Sequence, residues 1–260
     1  MTQETLEKIK KLRLLGMARA YETSLENDKL LHLSADELIG MLVEAEWDDR
    51  SNRNIERRLR NARFRYQSCV ESIDYIATRN LDRNQIMRFA ECTYIQKHEN
   101  ILITGSTGIG KSYLATALGH QACTLGFKVY YANMAKLFSK LKMGKADGSY
   151  IREISKIERQ DLLILDDFGL MPIDNQNRSA LMEIIEDRHN KASVIITSQL
   201  PVNCWHLLNS SGLKVHFRLR RNITLNNSIA YLKFLDFRYT ALPSHRRGGS
   251  WSSFLIVEQA

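Results

Sequence analysis

Ile101-Leu102-Ile103-Thr104 runs directly into Gly105-Ser106-Thr107-Gly108-Ile109-Gly110-Lys111-Ser112. Four β-prone residues bounded by glycine read as a short buried strand. The turn behind it fits G-x-x-x-x-G-K-[ST] at every fixed position. Lys111–Leu125 then has a helical pattern, closed by Gly126 as a C′ glycine. Strand, glycine turn and helix in that order form the setting in which this pattern binds phosphate. The glycines let the backbone curl until successive N–H groups point inward at phosphate oxygens, and the helix start adds its positive end. Gly105, Ser106, Thr107, Gly108, Ile109, Gly110, Lys111 and Ser112 are therefore the candidate nucleotide-binding residues. Lys111 is suited to neutralising the β- and γ-phosphates, and the Ser112 hydroxyl to coordinating Mg2+. The chain has no Asn-Lys-x-Asp guanine-reading motif, which favours ATP over GTP.

Downstream, short β-type runs alternate with helical patterns. Lys128–Ala132 reads as a second strand, with Asn133 capping the helix after it. Leu162-Leu163-Ile164-Leu165 reads as a third, buried on both faces, and Asp166 and Asp167 stand at its end. A helix near Gln176–His189 follows Asp174, and Val194–Thr197 is a fourth strand. Such alternation predicts an α/β fold with a mostly parallel sheet and helices on both faces. Two carboxylates at the open end of a parallel sheet are costly unless they meet a cation. Asp166 is the candidate metal residue beside Ser112, and Asp167 the residue that orients or polarises an attacking water. After the fourth strand, Gln199 or Ser198 is placed to read the γ-phosphate by a hydrogen bond. Lys111, Asp167 and Gln199 make up the candidate catalytic set.

Residues 1–95 read as helical: they contain no proline, and their only glycines are Gly16 and Gly40. Ser34-Ala35-Asp36-Glu37 matches a capping box. Apolar Leu38, Ile39, Leu42, Val43 and Trp47 follow, so a helix runs from about Ser34 into an arginine-rich stretch. That stretch holds Arg50, Arg53, Arg57, Arg58, Arg60, Arg63 and Arg65 against the single acid Glu56. Arg50, Arg53, Arg57 and Arg60 step by three and four and form one stripe, while Ile55, Leu59, Ala62 and Tyr66 can face a core. A guanidinium stripe can bind a nucleic-acid backbone without reading sequence, which makes Arg50, Arg53, Arg57, Arg60 and Arg63 candidate DNA contacts. The alternative is a solvated face, or one paired with acids.

Composition narrows the rest. The formal charge of +8 is concentrated late, since residues 206–260 hold eight Lys/Arg against Asp236 and Glu258. The net charge is therefore weak support for nucleic-acid binding. Cys69, Cys92, Cys123 and Cys204 are too scattered for a zinc site or a disulfide framework and read as small, mostly buried thiols. No apolar run reaches the ~18 residues of a membrane span, and Met1–Lys11 is charged, unlike a signal peptide, which predicts a cytoplasmic protein with no membrane partner. The expected division is a helical domain at 1–95, a nucleotide-binding core at 96–205 and an atypical basic tail at 206–260.

Several segments together resemble a known family. They are Asn54-Ile55-Glu56-Arg57-Arg58-Leu59-Arg60-Asn61-Ala62-Arg63-Phe64, Tyr94-Ile95-Gln96-Lys97-His98-Glu99-Asn100-Ile101, the glycine turn, the Asp166-Asp167 strand, Glu183-Ile184-Ile185-Glu186-Asp187-Arg188, and Thr197-Ser198-Gln199-Leu200-Pro201. Residues 1–205 resemble the IstB family, AAA+ helper ATPases of bacterial insertion sequences, and are similar to the DnaC family of helicase loaders. The resemblance implies an AAA+ three-layer P-loop sandwich preceded by a small all-α domain. It implies ATP and Mg2+ as cofactors, ATP-dependent self-association on double-stranded DNA, and a partner transposase. A replicative helicase partner, a small-molecule kinase, and a DNA-binding protein with an impaired ATPase are the competing readings. The resemblance stops at the tail. The family continues with a helix ending in Asp-x-x-x-Asp-Arg, whose arginine reaches a neighbouring subunit's ATP site, and then a closing strand. This chain instead reads His206-Leu207-Leu208-Asn209-Ser210-Ser211-Gly212-Leu213-Lys214-Val215-His216-Phe217-Arg218. A reading-frame change after about residue 205 produces such a tail, and it predicts a sheet without its closing strand. Arg218, Arg220 and Arg221 are not promoted to arginine fingers merely for being nearby.

Overall fold

The computed structural model describes residues 2–26, 33–75 and 81–200, together with strands at 216–223, 232–238 and 254–259. Cys204 and residues 206–215 lie outside the described residues. The chain divides into two compact units, Met1–Arg57 and Arg58–Ala260.

In the first unit, helices α1 (Thr2–Lys11) and α2 (Leu15–Glu26) precede α3 (Ala35–Ala62), which runs on past the division. The capping box forms: the Glu37 amide donates to Ser34 Oγ at 3.3 Å, and the Ser34 amide to Glu37 Oε2 at 2.8 Å. The start of α2 is satisfied differently. Glu46 of α3, 6% exposed, accepts the Gly16 amide at 2.9 Å and the Met17 amide at 3.2 Å. A carboxylate from another helix thus does the work of an N-cap. The approach is close enough that a Cβ on Gly16 would sit 2.3 Å from the Ala45 carbonyl oxygen, so glycine is required there. Ile39, Val43 and Trp47, in contrast, face solvent, with Trp47 75% exposed.

The second unit is built on a five-stranded parallel sheet. Its strands are β1 (Asn100–Gly105), β2 (Val129–Asn133), β3 (Leu162–Phe168), β4 (Ser193–Ser198) and, late in the chain, β7 (Phe254–Gln259), in the spatial order β2-β3-β4-β1-β7. A separate antiparallel pair, β5 (His216–Ile223) and β6 (Leu232–Arg238), lies between β4 and β7 in sequence. Before β1 come the short helices α4 (Arg83–Ala90) and α5 (Thr93–Gln96). Helix α6 (Lys111–Thr124) follows β1, α7 (Met134–Asp147) and α8 (Tyr150–Glu158) follow β2, and α9 (Asn175–Arg188) follows β3.

Strand alternation makes the three layers. Leu162 and Ile164 join Ile101, Ile103, Leu114 and Leu118 in one buried cluster. Leu163 and Leu165 join Leu137, Leu141, Ile157 and Ile184 in another. Successive side chains of a strand point to opposite faces, so an unbroken apolar run requires cover on both. The caps expected from sequence at Asn133 and Gly126 are in place, Asn133 accepting from the Lys136 amide and Gly126 closing α6 at φ 100°; the structure adds Asp174, which caps α9 by accepting from the Asn177 amide. Cys92 and Cys123 are buried free thiols, each pushed up to about 12 by burial, and Cys69 is half-buried.

Two expectations change. The tail does supply a strand beside β1: Asn100–Gly105 pairs in parallel register with Phe254–Gln259. Phe254-Leu255-Ile256-Val257 is an apolar, β-prone run, which is what a sheet edge selects whatever precedes it. Tyr66 does not face a core but is exposed. Helix α3 ends at Ala62 and Arg63 turns left-handed at φ 59°, so the helical phase that would bury position 66 is lost, whereas Ala62 is buried and Leu59 packs on the core.

The cap on α2 makes the first unit acid-sensitive. Burial pushes the Glu46 carboxyl up, but bonds from Arg50 and from the Met17 and Gly16 amides outweigh it and hold it below its ordinary value. A depressed carboxylate contributes stability above its unfolded value, about 4.3, and loses it as pH falls through the lower folded value. The wild-type urea midpoint should therefore drop below about pH 4.3, and Glu46→Gln should flatten that drop. An equal acid slope in the variant would assign it to other groups.

Candidate functional site

The C-terminal ends of β1, β3 and β4 bring the chemistry together, as the open edge of a parallel sheet does for ligands generally. Asp166 stands at the end of β3 opposite Asn133 of β2 and is 0% exposed. Three hydroxyls from three elements surround its carboxylate. Ser112 Oγ, in the first turn of α6, donates to Oδ1 at 2.7 Å, and Thr197 Oγ1 of β4 donates to the same oxygen. Tyr131 of β2 donates its OH to Oδ2 at 2.5 Å. Burial, and then this bond, raise the Tyr131 hydroxyl far above its ordinary value, so it stays a donor.

The next residue turns away. The β3–β4 register slips between Leu165 and Phe168, and Asp167 sits in the bulge with φ 62°. Its amide donates to Thr197 Oγ1 at 3.1 Å, so one hydroxyl serves both aspartates. The Asp167 side chain accepts from Asn133 Nδ2 at 2.7 Å, and Arg65 Nη1 lies 3.7 Å from the same oxygen. Burial and the charge of Asp166 raise its pKa, against the opposing pull of Arg65, Lys111 and Asn133. A cavity of ≈ 340 Å³ opens beside it, lined in part by Asn133, Phe138, Lys142 and Met171.

The glycine turn lies against these strands. Gly108 and Gly110 have φ 85° and 97°, a left-handed backbone that a side chain would strain. Lys111 is buried at the start of α6 and donates to the Ser106 carbonyl at 2.7 Å. Burial lowers its pKa, and Asp166 and Asp167 oppose that shift. Thr107 Oγ1 donates to Gln199 Oε1 at 2.8 Å, a contact that spans most of the core in sequence. Ser198, the alternative reader of the γ-phosphate, is committed elsewhere: it donates to the Phe168 carbonyl at 2.9 Å and accepts from the Leu200 amide.

The donor set suits a hard cation. Ser112 Oγ and Asp166 Oδ1 are adjacent oxygens, and the hydrogen-bond partners of Asp166 are hydroxyls rather than ammonium or guanidinium groups. Among the described residues no trio of His, Cys, Asp and Glu could hold a metal alone. That agrees with the habit of Mg2+, which takes one or two protein oxygens and completes its shell with phosphate and water.

Sequence reading did not find Tyr131, Thr197, Arg65 or the second role of Asn133 in this site. Its one available signal was that a buried tyrosine OH or threonine OH needs a partner. The arginine stripe is partly paired. Arg50 bonds Glu46 at 2.6 Å and Arg53 pairs with Asp49 at 2.7 Å, whereas Arg57 bonds Asn54 at 3.1 Å. Arg60 and Arg63 are exposed.

Comparison with known proteins finds the following similarities. A family model described as IstB-like ATP binding protein matches residues 7–212. An insertion sequence ATP-binding protein of Sinorhizobium fredii is 42% identical over 206 residues, 79% of this chain and 84% of the relative. One of Pseudomonas fluorescens is 40% identical over 202 residues, 77% of this chain and 87% of that protein. Among solved structures, the crystal structure of the DnaC helicase loader aligns with a TM-score of 0.47 at 21% identity, over 54% of this chain and 84% of that one.

Thr197 ties the two aspartates together, so Thr197→Val should leave a part-buried amide and a buried carboxylate oxygen each short of a partner. The expected loss is about 1–3 kcal/mol of unfolding free energy, read from urea titration. A midpoint equal to wild type would mean that water replaces the hydroxyl.

Proposed function

The chain belongs to the IstB-like ATP binding protein family, and we propose that it is an ATP-hydrolysing helper of DNA transposition. It binds ATP with Mg2+, assembles on double-stranded DNA as an ATP-dependent oligomer, and regulates a partner transposase. One hydrogen bond carries the nucleotide part of this reading: Ser112 Oγ meets Asp166 Oδ1 at 2.7 Å across 54 residues of chain. It joins the glycine turn to the acidic strand end. The relatives named as insertion sequence ATP-binding proteins support the biological setting.

Each residue then has a task. Residues 105–112 wrap the phosphates, and the Lys111 ammonium leaves the Ser106 carbonyl to take phosphate oxygens. Ser112 and Asp166 would hold Mg2+, which would neutralise charge on the β- and γ-phosphates. Asp167, aimed by Asn133, orients a water and takes its proton as the water oxygen bonds to the γ-phosphorus and the bond to the β–γ bridging oxygen breaks, giving ADP and phosphate. Gln199, already on Thr107, registers whether the γ-phosphate is present. The exposed guanidinium groups of Arg50, Arg53, Arg57, Arg60 and Arg63 take duplex phosphates; pairs such as Arg53–Asp49 are weak enough to be exchanged.

The test of the nucleotide reading is binding of a fluorescent ATP analogue to Lys111→Ala. A charge-assisted hydrogen bond contributes about 1.5–3 kcal/mol, so affinity should fall about 10- to 150-fold. Wild-type affinity in the variant would remove Lys111 from the phosphate site. For DNA, replacing Arg53, Arg57 and Arg60 together by Ala should weaken duplex binding and lower the salt slope by up to about 3, near 0.9 for each phosphate that is no longer neutralised. An unaltered slope would move the DNA surface elsewhere.

A further inference from the structure

We infer that Phe64 and Arg65 couple the arginine-rich helix to the paired aspartates, so that duplex DNA and nucleotide alter each other's affinity through these two residues. The inference rests on the proposed DNA and ATP reading and adds the route by which the two sites communicate.

Helix α3 stops at Ala62, and the left-handed Arg63 turns the chain toward the sheet. Phe64 lies edge-to-face on Tyr131, with centroids 6.4 Å apart and planes at 64°. Tyr131 is the residue whose hydroxyl holds Asp166. The same ring fills the space that Gly119 leaves on α6: a Cβ there would fall 2.8 Å from Phe64 Cε1 and 2.6 Å from Ile164 Cδ1. Helix α6 begins with Lys111 and Ser112, so Phe64 touches both a support of the metal aspartate and the helix that carries the phosphate residues.

Arg65 makes the companion interaction. Its guanidinium stands 5.2 Å over the Tyr66 ring and reaches Asp167 at 3.7 Å. Consecutive residues therefore address consecutive aspartates, one through Tyr131 and one directly. The Arg65–Asp167 pair is single and long, and the arginine side chain is 54% exposed. Such a pair is worth little as a fastening and exchanges readily, which suits a switch better than a staple. Arg60 and Arg63 lie just upstream on the same unit and are exposed. A phosphate that draws in the last turn of α3 shifts Phe64 and Arg65 with it, and both aspartates lose or regain their supports.

Coupling of this kind is reciprocal and does not require hydrolysis. Duplex affinity should be measured by fluorescence anisotropy at fixed salt, with and without a non-hydrolysable ATP analogue, and analogue affinity without DNA. In the wild-type chain the analogue should change duplex affinity about 5- to 150-fold. In Arg65→Gln and in Phe64→Leu that ratio should fall to within about twofold of unity, while duplex affinity of the nucleotide-free chain stays within about threefold of wild type. Arg65→Lys should keep most of the ratio. A full ratio in Arg65→Gln overturns the coupling. An equal loss of duplex affinity in the nucleotide-free chain of both variants also overturns it, by making the pair merely structural. A wild-type chain with no ratio at all removes the underlying DNA-and-ATP reading, and the coupling with it.

Discussion

A carboxylate sealed from solvent must find its partners inside the protein, and Asp166 finds three hydroxyls on three different elements. Those partners come from the first turn of α6, from β2 and from β4. They can meet only if β3 lies between β2 and β4 and if the glycine turn folds over the strand ends. The apolar run Leu162–Leu165 sets how deep the strand is buried, and the hydroxyls set where it stops. Packing and polar satisfaction thus select the same arrangement.

Neighbouring aspartates end up in opposite circumstances. Asp166 is closed in by hydroxyls, a surrounding suited to holding a hard cation through one or two oxygens. Asp167 is swung out by the bulge toward Asn133, Arg65 and an open cavity, where a water can reach it. Thr197 enforces the difference, since one hydroxyl donates to the first carboxylate and accepts from the second residue's amide. Two side chains of identical chemistry thus stand in different surroundings.

Legibility in the sequence followed the range of the interaction. The glycine turn, the four strands through Val194–Thr197, and the caps at Ser34 and Asn133 depend on residues a few positions apart, and each could be read locally. Tyr131, Thr197 and Arg65 could not. Their partners are 31, 35 or more positions away, and which hydroxyl faces which carboxylate is fixed by strand order and register. Gln199 was legible because it follows a strand end, but its meeting with Thr107 required β1 and β4 to be neighbours. The N-terminal apolar residues were misleading for another reason. Helical spacing identifies one face of α3 without saying what covers it, and Ile39, Val43 and Trp47 are exposed.

The left-handed backbone at Asp167 narrows what this position can become. Glycine, asparagine and aspartate tolerate that conformation far better than other residues, and β-branched ones least. Asparagine matches aspartate in volume but cannot accept a proton. Asparagine at this position would therefore keep the backbone and the volume while removing the carboxylate that Asn133 and Arg65 address.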